Sequence, residues 1–187
     1  MRAFALAAAA ALVLAVPLVA QAQRELGAHR HGHGTVNLAI EGARVLIELE
    51  APGADIVGFE HAPRSAAERE AVATATATLK APLALFTLPE EAGCRVEKAE
   101  VELEGAGGHA GERGHGHGEA PTAGHTEFHA EYTLACTRPD AISTVAFPYF
   151  EAFPRAGALT VNVATRHGQA RHEVTRDAPR AELTRAP

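Results

Sequence analysis

Val36-Asn37-Leu38-Ala39-Ile40-Glu41-Gly42-Ala43-Arg44-Val45-Leu46-Ile47-Glu48-Leu49-Glu50 is the stretch on which the fold class turns. Val36, Leu38 and Ile40 alternate with Asn37 and Ala39. After Glu41-Gly42-Ala43-Arg44 the alternation resumes, with Val45, Ile47 and Leu49 set against Glu48 and Glu50. Successive strand side chains point to opposite faces, so a period of two spells two half-buried strands joined by a tight turn.

Further along, residues 94–104 and 127–137 alternate in the same way. Val101 and Leu103 mark the apolar side of the first run, and Phe128, Tyr132 and Leu134 that of the second. Leu159, Val161 and Val163 then form a strand, Arg166-His167-Gly168-Gln169 turns, and Arg171–Arg176 returns. Between the hairpins, Ser65 and Glu68 have the spacing of a capping box, which predicts a helix over about 66–80 that Ala81-Pro82 stops. A short second helix is expected near Tyr149–Phe153. The predicted fold class is therefore α+β: antiparallel β-hairpins with one clear helix (about 66–80) and a short second helix, in a single domain.

Ahead of this domain, Arg2 precedes an apolar run from Ala3 to Ala20 that Pro17 interrupts, and Ala20-Gln21-Ala22 offers a small-residue exit. Residues 1–22 read as a cleaved secretory signal peptide. No later segment is long and apolar enough to cross a bilayer, so no membrane span is expected after cleavage. The domain then runs over residues 23–176, and the polar, proline-bearing residues 177–187 are expected to fray.

Two cysteines, Cys94 and Cys136, remain in an exported chain, where a disulfide is the default. Pairing them sets a register that places Lys98 and Glu100 opposite Tyr132 and Ala130, against the apolar pattern. A β-bulge between Cys94 and Ala99 restores it.

Of the eleven histidines, His29, His31 and His33 form one tract and His109, His115, His117 and His125 another, both among glycines and small residues. Neutral imidazole is the commonest ligand for late first-row metals, and glycine gives the backbone freedom to converge imidazoles on one ion. If the first strand extends backwards, His29, His31 and His33 share a face about 7 Å apart, within reach of one ion. His109, His115 and His117 of the second tract lie in a glycine-rich insert, residues 105–124, with His125 just beyond it; the insert is expected to be disordered without metal and the tract to bind several ions loosely. Glu60-His61 offers a carboxylate and an imidazole in one loop. Adjacent residues on extended backbone point apart, so both reach one ion only if the loop bends. His129 faces away from Phe128 and Tyr132, hence outward, beside the insert. His167 and His172, in the last hairpin, read as solvated positions.

Imidazole and carboxylate without a free thiolate or methionine cluster suit zinc, nickel or copper(II) and disfavour copper(I). A formal charge of −6 argues against nucleic acid, and seven Phe, two Tyr and no Trp leave few stacking platforms. No H-E-x-x-H helix, G-x-S-x-G elbow or P-loop is present. No enzymatic activity is expected; a zinc-dependent hydrolase assembled from scattered side chains is the lesser alternative.

The chain resembles the ZrgA-like family, exported proteins of Gram-negative bacteria linked to zinc uptake. The resemblance rests on His29-Arg30-His31-Gly32-His33-Gly34, on Pro52 to Pro63 with Asp55-Ile56-Val57-Gly58-Phe59-Glu60-His61-Ala62-Pro63, on the histidine-rich insert, on Phe128-His129-Ala130-Glu131-Tyr132 ending in Cys136, and on Phe153-Pro154. It implies a periplasmic zinc-binding accessory protein that captures zinc and assists a zinc importer of the inner membrane, with Glu60 and His61 among the site residues. A periplasmic nickel or copper(II) buffer is the alternative. The site set is His29, His31, His33, Glu60, His61, His109, His115, His117, His125 and His129. Mass spectrometry of the exported protein is expected to find Gln23 at its N-terminus; a chain still carrying Met1–Ala22 would refute the cleavage reading.

Overall fold

A computed structural model describes residues 32–105 and 125–183. The opening hairpin is β1 (His33–Glu41) and β2 (Arg44–Pro52), paired antiparallel with Glu41 opposite Arg44. The two-residue turn between them has Gly42 at φ 58, a left-handed conformation that glycine adopts without a Cβ penalty. After the short α1 (Gly53–Ile56) comes α2 (Ala66–Leu79), whose Ser65 hydroxyl accepts from the Glu68 N–H while the Glu68 carboxylate accepts from the Ser65 N–H. The helix and its capping box agree with expectation.

Pro82–Leu85 forms α3. The second hairpin is β3 (Cys94–Glu104) and β4 (Glu127–Cys136), and the last is β6 (Ala158–Thr165) and β7 (Gly168–Thr175). Between these two hairpins lie β5 (Thr144–Ala146) and α4 (Tyr149–Ala152), the latter where a short helix is expected.

Cys94 and Cys136 are disulfide-bonded and directly opposite in register. The register shifts between Val96 and Lys98, inside the interval the apolar pattern demands, so Ala99 faces Tyr132 and Val101 faces Ala130. A single extra residue thus reconciles a covalent constraint with a hydrophobic one.

All three hairpins belong to one six-stranded sheet of order β3-β4-β2-β1-β6-β7. The junction between β1 and β6 is parallel, which makes the sheet mixed. One face is apolar: Val36, Leu38, Val45, Ile47, Leu49, Phe128, Leu134, Leu159 and Val161 are buried in a single core with Leu79, Leu85, Phe86, Phe147 and Tyr149 from the covering layer. The molecule is more β-rich than the α+β label conveys. Among the described residues, three of the four α-helices have four residues each and serve as corners of the covering layer, leaving α2 as the one long helix there.

Residues 177–187, expected to fray, depart from that reading over Arg180–Glu182. These form β8, antiparallel to β5, with Ala181 buried against the core. The composition there is polar, but Ala181, half-buried Leu183 and a free strand edge suffice to dock the backbone.

The start of β1 is clamped. The Gly32 N–H donates to buried Asp55 Oδ1 at 2.8 Å, and the Gly32 carbonyl accepts from the N–H groups of Gly157 and Ala158 at 2.9 and 2.8 Å. Gly53, at the end of β2, has no room for a side chain: a Cβ there would meet Thr126 Oγ1 at 2.4 Å and the Phe59 carbonyl at 2.7 Å.

The Cys94–Cys136 bridge spans a sequence separation of 42, so the chain-entropy argument gives it about 4 kcal/mol of stabilisation. Reduction, or a Cys94→Ala/Cys136→Ala variant, is expected to lower the unfolding free energy by about 2–4 kcal/mol in urea titration; unchanged stability would contradict this.

Candidate metal centre

The second face of the sheet is polar, and its side chains follow from strand alternation. Phe128 and Ala130 point into the core, so His129 between them points outward; Glu48 and Glu50 do the same on β2 between Ile47, Leu49 and Ala51. Because β2 pairs with β4, Glu50 lies directly opposite His129 and Glu48 opposite Glu131. Facing side chains on adjacent strands come within contact range. The His129 Nε2–H donates to Glu48 Oε1 at 3.0 Å, and Nδ1 lies 3.9 Å from Glu104 Oε1 on β3.

One ligand atom each from Glu48, Glu50 and His129 lies within 4.8 Å of the other two. A tetrahedral zinc shell with bonds near 2.0–2.2 Å separates its donors by roughly 3.4 Å. The set therefore closes with a shift of about an ångström in the glutamate arms. Two carboxylates and an imidazole are a donor combination suited to a divalent cation such as zinc.

The electrostatics of His129 are those of a ring among carboxylates. Burial opposes its charged form, but the Glu48 hydrogen bond and the charges of Glu48, Glu104 and Glu131 outweigh that, and its pKa is raised above the ordinary 6.5. Protonated His129 thus contributes stability that is fully present below the unfolded-state value and is lost as pH rises through the raised folded-state value.

Among the expected site residues, His29, His31, His109, His115 and His117 lie outside the described residues. His33 opens β1, and its Nε2 lies 2.9 Å from Thr160 Oγ1 and 3.4 Å from Glu173 Oε1. Glu60 and His61 point apart. Glu60 Oε2 accepts from His125 Nδ1 at 2.6 Å, whereas the His61 ring stacks on Phe59, donates from Nδ1 to the Ala62 carbonyl at 3.0 Å and places Nε2 3.9 Å from Glu68 Oε1. His33 and His61 therefore engage different partners. His125 is held by more than its ring: the Thr126 N–H donates to the Glu60 carbonyl at 2.9 Å, and the Gly53 N–H to the Thr126 carbonyl at 2.8 Å.

His167 is exposed, as expected, but His172 is not solvated: it shares the inner face of β7 with buried Val174, and its Nε2 is buried without a hydrogen-bond partner. The sequence reading missed Glu48 and Glu50 as ligand candidates. Their alternation marks them as outward-facing, yet only the adjacency of β2 and β4 brings them to His129.

The sheet order also gathers the anchor points of both histidine tracts. His33, Pro52, Glu104, Glu127, Ala158 and Thr175 all lie at one end of the sheet, by the registers of their strands. Gly32, Gly105 and His125 continue from that same end.

A family model described as ZrgA family zinc uptake protein matches residues 28–183. No curated protein matches the chain. Among the described residues, no helix is long and apolar enough to cross a membrane.

NMR titration of the metal-free protein is expected to place the His129 midpoint above that of an unperturbed histidine, and Glu48→Gln to lower it by replacing a charged acceptor with a neutral one. A Glu48→Gln midpoint equal to the wild-type value would refute the pairing.

Proposed function

The chain belongs to the ZrgA family of zinc uptake proteins, and from that premise we propose that it is a periplasmic zinc-binding accessory protein that captures zinc and assists a zinc importer of the inner membrane. The observation that carries this reading is the Glu48, Glu50 and His129 cluster on a rigid sheet. Ligands fixed before the ion arrives bind more tightly than ligands that must be ordered at the same time.

In this proposal the histidine tracts are the collecting arm and the sheet cluster is the holding site. His29 and His31 lead to Gly32 and His33, and His109, His115, His117 and His125 lie in or beside the segment between Gly105 and Thr126, so both tracts attach at the end of the sheet nearest the cluster. Glu60 acts on His125, fixing the ring so that Nε2 is the nitrogen left for a metal, as carboxylates do behind metal-bound histidines. His61 and His33 are additional ligands of the exposed rim.

Export fits the Cys94–Cys136 disulfide, since such bridges persist in oxidising compartments, with residues 1–22 as the signal that directs it. The family is described by uptake and not by catalysis, which supports a non-enzymatic role.

The test is thermal unfolding of the mature protein with zinc, nickel or copper(II). A zinc concentration about 100-fold above Kd is expected to raise Tm by about 5–10 °C. The rise should be lost in His129→Ala and reduced in His31→Ala/His61→Ala. A rise with no metal, or one unaffected by His129→Ala, would overturn the holding site, and a larger rise with nickel or copper(II) in competition at one pH would overturn the choice of zinc.

A further inference from the structure

Asparagine is depleted in strands because its short amide competes for backbone hydrogen bonds and packs poorly on a pleated surface. Two asparagines nevertheless face each other at the centre of this sheet, Asn37 on β1 and Asn162 on β6, directly opposite in the parallel register and both on the polar face. Asn162 Nδ2 donates to Asn37 Oδ1 at 2.9 Å. That bond commits the Asn37 amide nitrogen to the opposite side, where it donates to Glu48 Oε2 at 3.0 Å. Glu48 in turn directs Oε1 at His129 Nε2. The chain Asn162, Asn37, Glu48, His129 crosses four adjacent strands, β6, β1, β2 and β4, and ends on the proposed metal site.

We propose that Asn37 is a positioning residue for that site, holding one oxygen of Glu48 so that the other faces the ion, and that Asn162 sets the orientation of the Asn37 amide. The inference rests on the reading of Glu48, Glu50 and His129 as a zinc site. A rung of amides that merely stitches β1 to β6 accounts for the Asn162 bond but not for the second bond onto a ligand carboxylate. Asn37 touches no ion itself: its effect passes through Glu48. A carboxylate tethered from behind loses less freedom when the metal binds, and it keeps one oxygen satisfied while the other is given to the metal.

The experiment measures zinc affinity of the mature chain by competition with a chromophoric chelator, together with Tm of the metal-free protein, for wild type, Asn37→Val and Asn162→Val. Each is measured with His129 present and in a His129→Ala background. Valine favours strands and cannot donate. Asn37→Val is expected to weaken the His129-dependent affinity by about 10–100-fold, the usual effect of removing an outer-shell partner, and to change nothing in the His129→Ala background. Asn162→Val, whose bond reaches Glu48 only through Asn37, should produce a smaller fall of the same sign; it carries the test if Asn37→Val does not fold. A lowered Tm with unchanged affinity in both variants would show a structural rung and overturn the proposal. Equal losses with and without His129 would overturn it as well. Absence of any His129-dependent binding in the wild type would instead overturn the zinc site itself, so the two failures are distinguishable.

Discussion

The parallel pairing of β1 with β6 is the constraint on which the rest of the structure depends. Each of the three main hairpins can form from neighbouring residues, but only this pairing, from His33 against Ala158 to Ala39 against Ala164, fuses the last hairpin to the first two. Parallel neighbours need a long crossover, and here everything from β2 to α4 supplies it. The junction is secured at its entry by the Gly32 carbonyl, which accepts from Gly157 and Ala158. Arg176 fixes the approach to β6: its guanidinium donates to the carbonyls of Phe150, Phe153, Pro154 and Ala156 and lies over the Phe150 ring. One five-donor cation thus satisfies four carbonyls of a connecting loop, most of them partly shielded from water.

With the sheet closed in this order, its two faces have separate tasks. The inner face is an aromatic-rich core in which Phe86 contacts Tyr132, Phe147 and Tyr149 at ring-centroid distances of 6.0, 5.9 and 6.5 Å. Burial drives the Tyr132 and Tyr149 phenols far above their ordinary pKa, so both stay neutral. The outer face holds charge and amide groups in rows across the strands. Glu48 is the shared member there, bonded to Asn37 on one side and His129 on the other. A histidine among carboxylates offers a donor set suited to a cation, because a metal can replace the proton with a stronger positive partner after a small shift of the glutamate arms.

The amino-acid sequence by itself determined the local elements. Period-two alternation specified three hairpins and the outward direction of His129. The Ser65 and Glu68 spacing specified the start of α2, and the demand that Cys94 meet Cys136 without burying Lys98 specified the bulge. Each of these follows from interactions between residues close in sequence or from one covalent link, so each is legible without knowing the rest of the fold. Only the tertiary structure decided which strands are neighbours. Backbone hydrogen bonds between strands are alike whatever the side chains, so alternation cannot say that β2 lies beside β4 or that β1 runs parallel to β6. That choice placed Glu50 opposite His129, sent Glu60 to His125, and buried Ala181 in a segment whose polarity reads as a loose end. The candidate metal centre belongs to long-range register, which is won by the packing of a whole core and not by any stretch of chain within it.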